Sequence, residues 1–112
     1  MADVRKLKCT EITKSLQEIG RVLKEDLGSE VVCEVKALSD KALLMCFEEY
    51  YFRCNNYVAL TVLLTESEEG QEAVVASFAG GAGLSNVSMG ANTSFAAKAG
   101  KSLGKLGFVQ GW

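Results

Sequence analysis

Residues 41–65, KALLMCFEEYYFRCNNYVALTVLLT, decide how this chain folds. Val58, Leu60, Val62 and Leu64 recur at every second position, with Tyr57, Ala59, Thr61 and Leu63 between them. That period sends one set to each face of an extended strand. Leu44, Cys46, Tyr50 and Phe52 alternate in the same way and run into Asn55-Asn56. Asn accepts φ > 0 more readily than most residues, so the pair predicts a tight turn between two long strands. Ala42 to Glu49 are also good helix formers that Ser39 could cap. The alternation, and the strand that follows directly, favour the hairpin.

Within the first of these strands Glu48 and Glu49 are neighbours, so they point to opposite faces. Glu48, Tyr50 and Phe52 share one side; Glu49, Tyr51 and Arg53 share the other. A carboxylate on the side that helices cover loses water and holds its proton more tightly, the state from which a general acid works. A Glu–Arg pair on a solvated face is the simpler reading.

Towards the N-terminus, residues 30–38 alternate as a strand, and residues 4–9 suit an edge strand in which Lys6 and Lys8 discourage pairing with other chains. Between them Ile12, Leu16, Ile19, Leu23 and Leu27 form one helical stripe. Thr10 is the expected cap and Gly28 the expected left-handed stop, giving a helix over about residues 10–27. Towards the C-terminus, residues 66–72 read as an acidic turn without the Asp and Asn spacing of a Ca²⁺ loop. Residues 73–79 follow as a strand, and a glycine-rich turn leads to a short strand over 84–89. A helix capped by Asn92, Thr93 or Ser94 then runs to about residue 106. Gly100 and Gly104 in that helix suggest a close approach to the sheet, and Phe108, Val109 and Trp112 would close over one end of the core. The whole predicts one α+β domain over residues 1–112. It is a two-layer sandwich, a mostly antiparallel five- or six-stranded sheet with two helices on one face, in the order β-α-β-β-β-β-β-α.

The composition narrows function mainly by exclusion. The chain has 112 residues and a net charge of −2, which does not suit a nucleic-acid binder. Residues 1–72 carry all 14 acidic side chains, whereas residues 73–112 carry only Lys98, Lys101 and Lys105. With no His, the commonest general base and the Ser-His and Cys-His nucleophile pairs are missing. Cys9, Cys33, Cys46 and Cys54 contain no C-x-x-C pair, so no metal and no cofactor are expected. MADVRKLK leads into polar sequence rather than an apolar signal core, and no stretch is apolar enough to span a bilayer, so the expected location is the cytoplasm. Ala99-Gly100-Lys101-Ser102 looks like the end of a P-loop, but Phe95 stands where its first glycine belongs. Gly81 and Gly83 fall short of a dinucleotide fingerprint, since Asn86 replaces the third glycine.

The order Phe47-Glu48-Glu49-Tyr50, Asn55 to Val62, Val75-Ala76-Ser77-Phe78 with Gly80-Gly81, then Asn92-Thr93 and a helix, resembles a family of uncharacterised bacterial proteins of about this length. The resemblance covers residues 43–106. It implies a bacterial, cytosolic origin and carries no known activity. The expected function is therefore a small non-enzymatic interaction or ligand-binding module that self-associates as a homodimer. Glu48, Tyr50, Asn92, Thr93 and Ser94 are its candidate ligand contacts, with the small-molecule ligand left open. Tyr51, Tyr57 and Leu63, on the sheet face away from the helices, are its candidate interface. The alternative is an enzyme using Glu48 or Glu49 as general acid or base.

Overall fold

The computed structural model describes the backbone of residues 2–28, 31–51, 56–79 and 91–111, and their side chains except at positions 2, 32, 51, 56, 79 and 91–93. The elements run β1 (Ala2–Cys9), α1 (Leu16–Leu27), β2 (Val32–Ser39), β3 (Ala42–Tyr51), β4 (Asn56–Ser67), β5 (Gly70–Ala79), α2 (Ala91–Lys105) and β6 (Val109–Gln110). The strands form one antiparallel six-stranded sheet in the order β2-β3-β4-β5-β1-β6. This is the expected α+β architecture, with residues 42–51 extended rather than helical.

Register follows from the apolar alternation. Leu43, Met45 and Phe47 lie opposite Leu64, Val62 and Leu60. Val62 and Leu64 lie opposite Val75 and Ala73 in turn, and Ala73 faces Leu7. Both helices cover the face so formed, α2 over β5, β1 and β4 and α1 over β3 and β4. Leu16, Ile19, Leu23 and Leu27 from α1 are buried there with Phe95, Ala96, Ala99 and Leu103 from α2. Val58, Leu60, Val62 and Leu64 are wholly buried beneath them. Each such side chain contributes about 1.5–3 kcal/mol relative to exposure.

Several local expectations are corrected. Tyr51 pairs with Asn56, so Asn56 opens β4 instead of forming the turn, and the connection is residues 52–55. A two-residue loop wants φ > 0 at both positions, and Asn-Asn lacks the glycine that makes this easy. The β4–β5 strands extend into the acidic run, leaving only Glu68-Glu69 between Ser67 and Gly70. Gly70 is required there. Its φ is +135°, and a Cβ would strike the Cys9 carbonyl oxygen. The expected strand over 84–89 and Trp112 lie outside the described residues. Phe108 does close the core, but Val109 is exposed, because it pairs β6 with Lys8 at the edge of β1.

The first helix begins at Leu16, a turn and a half later than Thr10 would start it. Ser15 is the cap: its Oγ accepts from the Glu18 backbone N–H, and the Glu18 carboxylate accepts from the Ser15 N–H. The preceding segment is held by Gln71, whose buried amide donates to the Lys14 carbonyl at 2.7 Å and to Glu66 Oε1 at 2.9 Å. Ile12 is left exposed as a result. Gly28 has the expected positive φ of 111°, but ψ of 153° sends the chain on in extended form. The close helix–sheet approach falls at Gly20 of α1, where an added Cβ would sit 3.1 Å from Leu43 and 3.2 Å from Met45. Gly104 of α2 has open space instead, and Gly100 only an Arg5 side-chain tip at 3.8 Å.

Removing the cap tests this boundary. Ser15→Ala is expected to lower unfolding free energy in urea by about 1 kcal/mol, while Thr10→Ala stays within about 0.5 kcal/mol of the parent.

Candidate functional site

With both helices on one face, the other face of the sheet has no described element over it. Strand alternation and register define its rows. Glu34, Cys46, Thr61, Ala76 and Val4 form one row across β2, β3, β4, β5 and β1. Lys36, Leu44, Leu63, Val74 and Lys6 form the next. On the other flank Glu48, Ala59 and Phe78 line up, with the Tyr50–Tyr57 pair beyond them.

A solvated sheet face normally interleaves charged residues among the apolar ones. Here β4 has no charged residue from Asn56 to Thr65, on either face. Val4 is 56% exposed, Tyr57 55% and Phe78 52%. Tyr50 and Tyr57 meet edge to face, with ring centroids 5.1 Å apart and planes at 66°. Such contacts add to area burial and fix the two rings relative to one another. Charge is confined to the margins, with Glu34, Lys36 and Glu48 on one side and Lys6, Lys8 and Glu72 on the other. Lys6 Nζ lies 3.8 Å from Glu72 Oε1.

Of the residues singled out from the sequence, Glu48, Tyr50, Tyr57 and Leu63 come together on this open face. Tyr51 ends β3 opposite Asn56, and its side chain lies outside the described residues. The remaining ligand candidates are elsewhere. Asn92, Thr93 and Ser94 lie within the first turn of α2 rather than before it, and α2 packs on the covered side. The side chains of Asn92 and Thr93 lie outside the described residues, and Ser94 is exposed. The sheet therefore separates Glu48 and Tyr50 from Ser94, and one small ligand cannot touch both groups.

The two carboxylates are separated as well. Glu48 is exposed on the open face, whereas Glu49 follows Phe47 towards the helices. Lys98 of α2 supplies its counter-charge, Nζ to Oε1 at 3.6 Å. That Oε1 is buried and accepts no hydrogen bond from a described residue. Arg53, expected as its partner, lies outside the described residues. Glu48 and Glu49 cannot act as an acid–base pair across one substrate. Nor is Cys33 an activated nucleophile: burial above all pushes its thiol up, against the pull of Lys24.

The P-loop lookalike has a structural role. Ser102 is buried, and its hydroxyl donates to Asp26 Oδ2 at 2.7 Å, with Lys105 Nζ on the same oxygen at 3.0 Å. This clasp ties α2 to the last turn of α1. Beside it a cleft of about 410 Å³ opens between Cys9, Thr10 and Glu11 on one side and Lys105 and Leu106 on the other. Nothing in the residue spacing pointed to either Asp26 or Gln71, because each finds its partner on a distant element.

The arrangement defines a class: an open-faced α+β sandwich whose antiparallel sheet carries helices on one side and, on the other, a surface with charge only at its margins. The chain belongs to DUF6054, a family of unknown function, whose pattern matches residues 4–107. An X-ray crystal structure of protein MLL2253 from Mesorhizobium loti, a Northeast Structural Genomics Consortium target, is similar in fold. It superposes with a TM-score of 0.50 at 15% identity, over 94% of this chain and 98% of that one. A likeness at that identity speaks to the fold alone. No match is found among curated proteins. No helix among the described residues is long and apolar enough to cross a membrane.

The helix clasp makes a pH prediction. The Ser102 hydroxyl first, then Lys105, holds the Asp26 carboxyl below the usual aspartate range. A lowered folded-state value stabilises the fold above the unfolded aspartate range, and that contribution is lost as pH falls through the folded value. Ser102→Ala is expected to move the Asp26 titration upward when followed by carboxyl NMR, and to shrink the loss of stability on acidification.

Proposed function

We propose that this protein is a small, cytosolic, non-enzymatic interaction module that works by self-association, its open sheet face closing against that of a second copy. The observation that carries this reading is β4, which is apolar beneath the helices and, from Asn56 to Thr65, carries no charge on the open face either, where Tyr57, Ala59 and Leu63 alternate with Thr61 and Thr65. Central strands read this way when both faces are buried. The margins of the open face balance Lys6, Lys8 and Lys36 against Glu34, Glu48 and Glu72, so the surface as a whole does not repel its own copy. A strongly charged partner would find no matching field on it. Exposed apolar patches of this kind mark association sites in soluble proteins. An isologous two-fold contact is the commonest way to close one.

The enzymatic alternative, with Glu48 or Glu49 as general acid or base, has less support. Glu48 stands open to solvent with Tyr50 beside it. Glu49 is held from above by Lys98, and the two face opposite ways.

Sedimentation equilibrium at tens of micromolar tests the self-association. The wild-type chain is expected to sediment at twice the protomer mass or more. Tyr57→Lys/Phe78→Lys, which places charge on the exposed aromatic flank of the face, is expected to halve that mass. A monomeric wild type, or a variant of unchanged mass, removes the proposal.

A further inference from the structure

A second surface, independent of the open face, has its own specificity. β2 is the last strand of the sheet, and among the described residues it packs substantially only on β3. α1 packs mainly on β3 and β4 and only flanks β2, across a groove beside Val35. Its outer edge presents backbone N–H and C=O groups, together with Val35 at 48% exposure and Leu38 at 56%. An edge of this length with no described element over it is a template for another strand unless something specifies or blocks the pairing.

The sequence of β2 specifies it. Two copies joined antiparallel by a two-fold axis perpendicular to the sheet keep their helices on the same side. Each residue must then meet one from its own face, so the axis passes through a residue position. Centring on Glu34 would set Glu34 against itself, and centring on Lys36 would set Lys36 against itself. Centring on Cys33 or Ala37 shortens the ladder. Centring on Val35 pairs Glu34 with the partner's Lys36, and Lys36 with the partner's Glu34. It also sets Cys33 against Ala37, two small residues. Opposite charges directly across a ladder stabilise it and like charges oppose it, so this register is singled out. The bulge between Ala37 and Ser39 ends the regular edge just beyond the paired stretch.

We propose that β2 is a self-complementary edge, through which two copies of this chain join antiparallel about Val35 into one continuous sheet. The two Val35 side chains meet at the axis on the helix side. There each borders an apolar groove of about 230 Å³ floored by Leu43 and Met45 and walled by Gly20, Arg21 and Lys24 of α1. Pairing brings the second copy's own Val35 against that groove, which β2 alone leaves open. This contact goes beyond the face contact proposed above and does not depend on it. If both hold and their two-fold axes cross at right angles, they close into a dihedral tetramer.

The test is a charge swap read by sedimentation velocity in the Tyr57→Lys/Phe78→Lys background, where only the edge contact remains. That background is expected to be dimeric. Glu34→Lys and Lys36→Glu, each added alone, turn two attractions into two repulsions and are expected to weaken the dimer by roughly tenfold or more. Mixing these two variants is expected to restore a dimer. Positions 34 and 36 are then both lysine in one copy and both glutamate in the other, so each pair across the axis is again of opposite charge. The double swap Glu34→Lys/Lys36→Glu is expected to dimerise like the background. A monomeric background overturns the proposal, as do single swaps that dimerise unchanged or a mixture that does not recover.

Discussion

The pairing of β4 with β3 on one side and β5 on the other places Val58, Leu60, Val62 and Leu64 beneath the helices. A slip of one residue in either ladder would turn an entire row of side chains to the wrong face. The covered face is therefore set by register before any helix is added. α1 and α2 then dock on a surface already apolar, with Gly20 admitting Leu43 and Met45 and with Ala96 and Ala99 of α2 buried against the sheet. Polar contacts refine this arrangement. Gln71 fixes the approach to α1, and the Asp26–Ser102–Lys105 clasp fixes how the helices meet.

Features carried by local periodicity were legible in the sequence. The stripe Leu16, Ile19, Leu23 and Leu27, the alternation through Val58 to Leu64, and the resulting α+β class all follow from the spacing of apolar residues. Thr10 and Ser15 are both capping residue types, but Ser15 has Glu18 three residues on where Thr10 has Thr13. A local capping box overlooked in the spacing thus decides between them, and the Gln71 amide on the Lys14 carbonyl then holds the segment before it. Features set by distant partners were not legible. Ala99-Gly100-Lys101-Ser102 resembles a nucleotide motif because helical sequence with small residues can mimic one. Its serine is committed to Asp26. The candidate ligand set divided for the same kind of reason: sequence distance between Tyr50 and Ser94 says nothing about which side of a sheet each occupies. The Glu34–Lys36 pattern of β2 was visible as alternation, but its meaning required knowing that β2 is an edge.

The open face and the β2 edge are unfinished in different ways. The face offers apolar area, which is non-directional and tolerates many docking angles. The edge offers hydrogen-bonding groups in fixed order, which accept only another strand and only in certain registers. Shape and charge at its margins must make the first specific, whereas alternation makes the second specific by itself.

The placement of β1 has a consequence for the chain as a polymer. The β2–β3–β4–β5 meander is closed by short connections, each ladder growing from its own turn. β1 instead meets β5 across more than half of the sequence, from Cys9 to Gln71, and β6 then pairs with β1. Bringing such distant residues together costs more chain entropy than closing a hairpin, although the cost grows only slowly with length. No turn holds β1 in place, so its ladder with β5 must offset that cost, helped by Leu7 and Cys9 in the core. The first strand of the sequence is thus the one whose place in the sheet depends most on all the others.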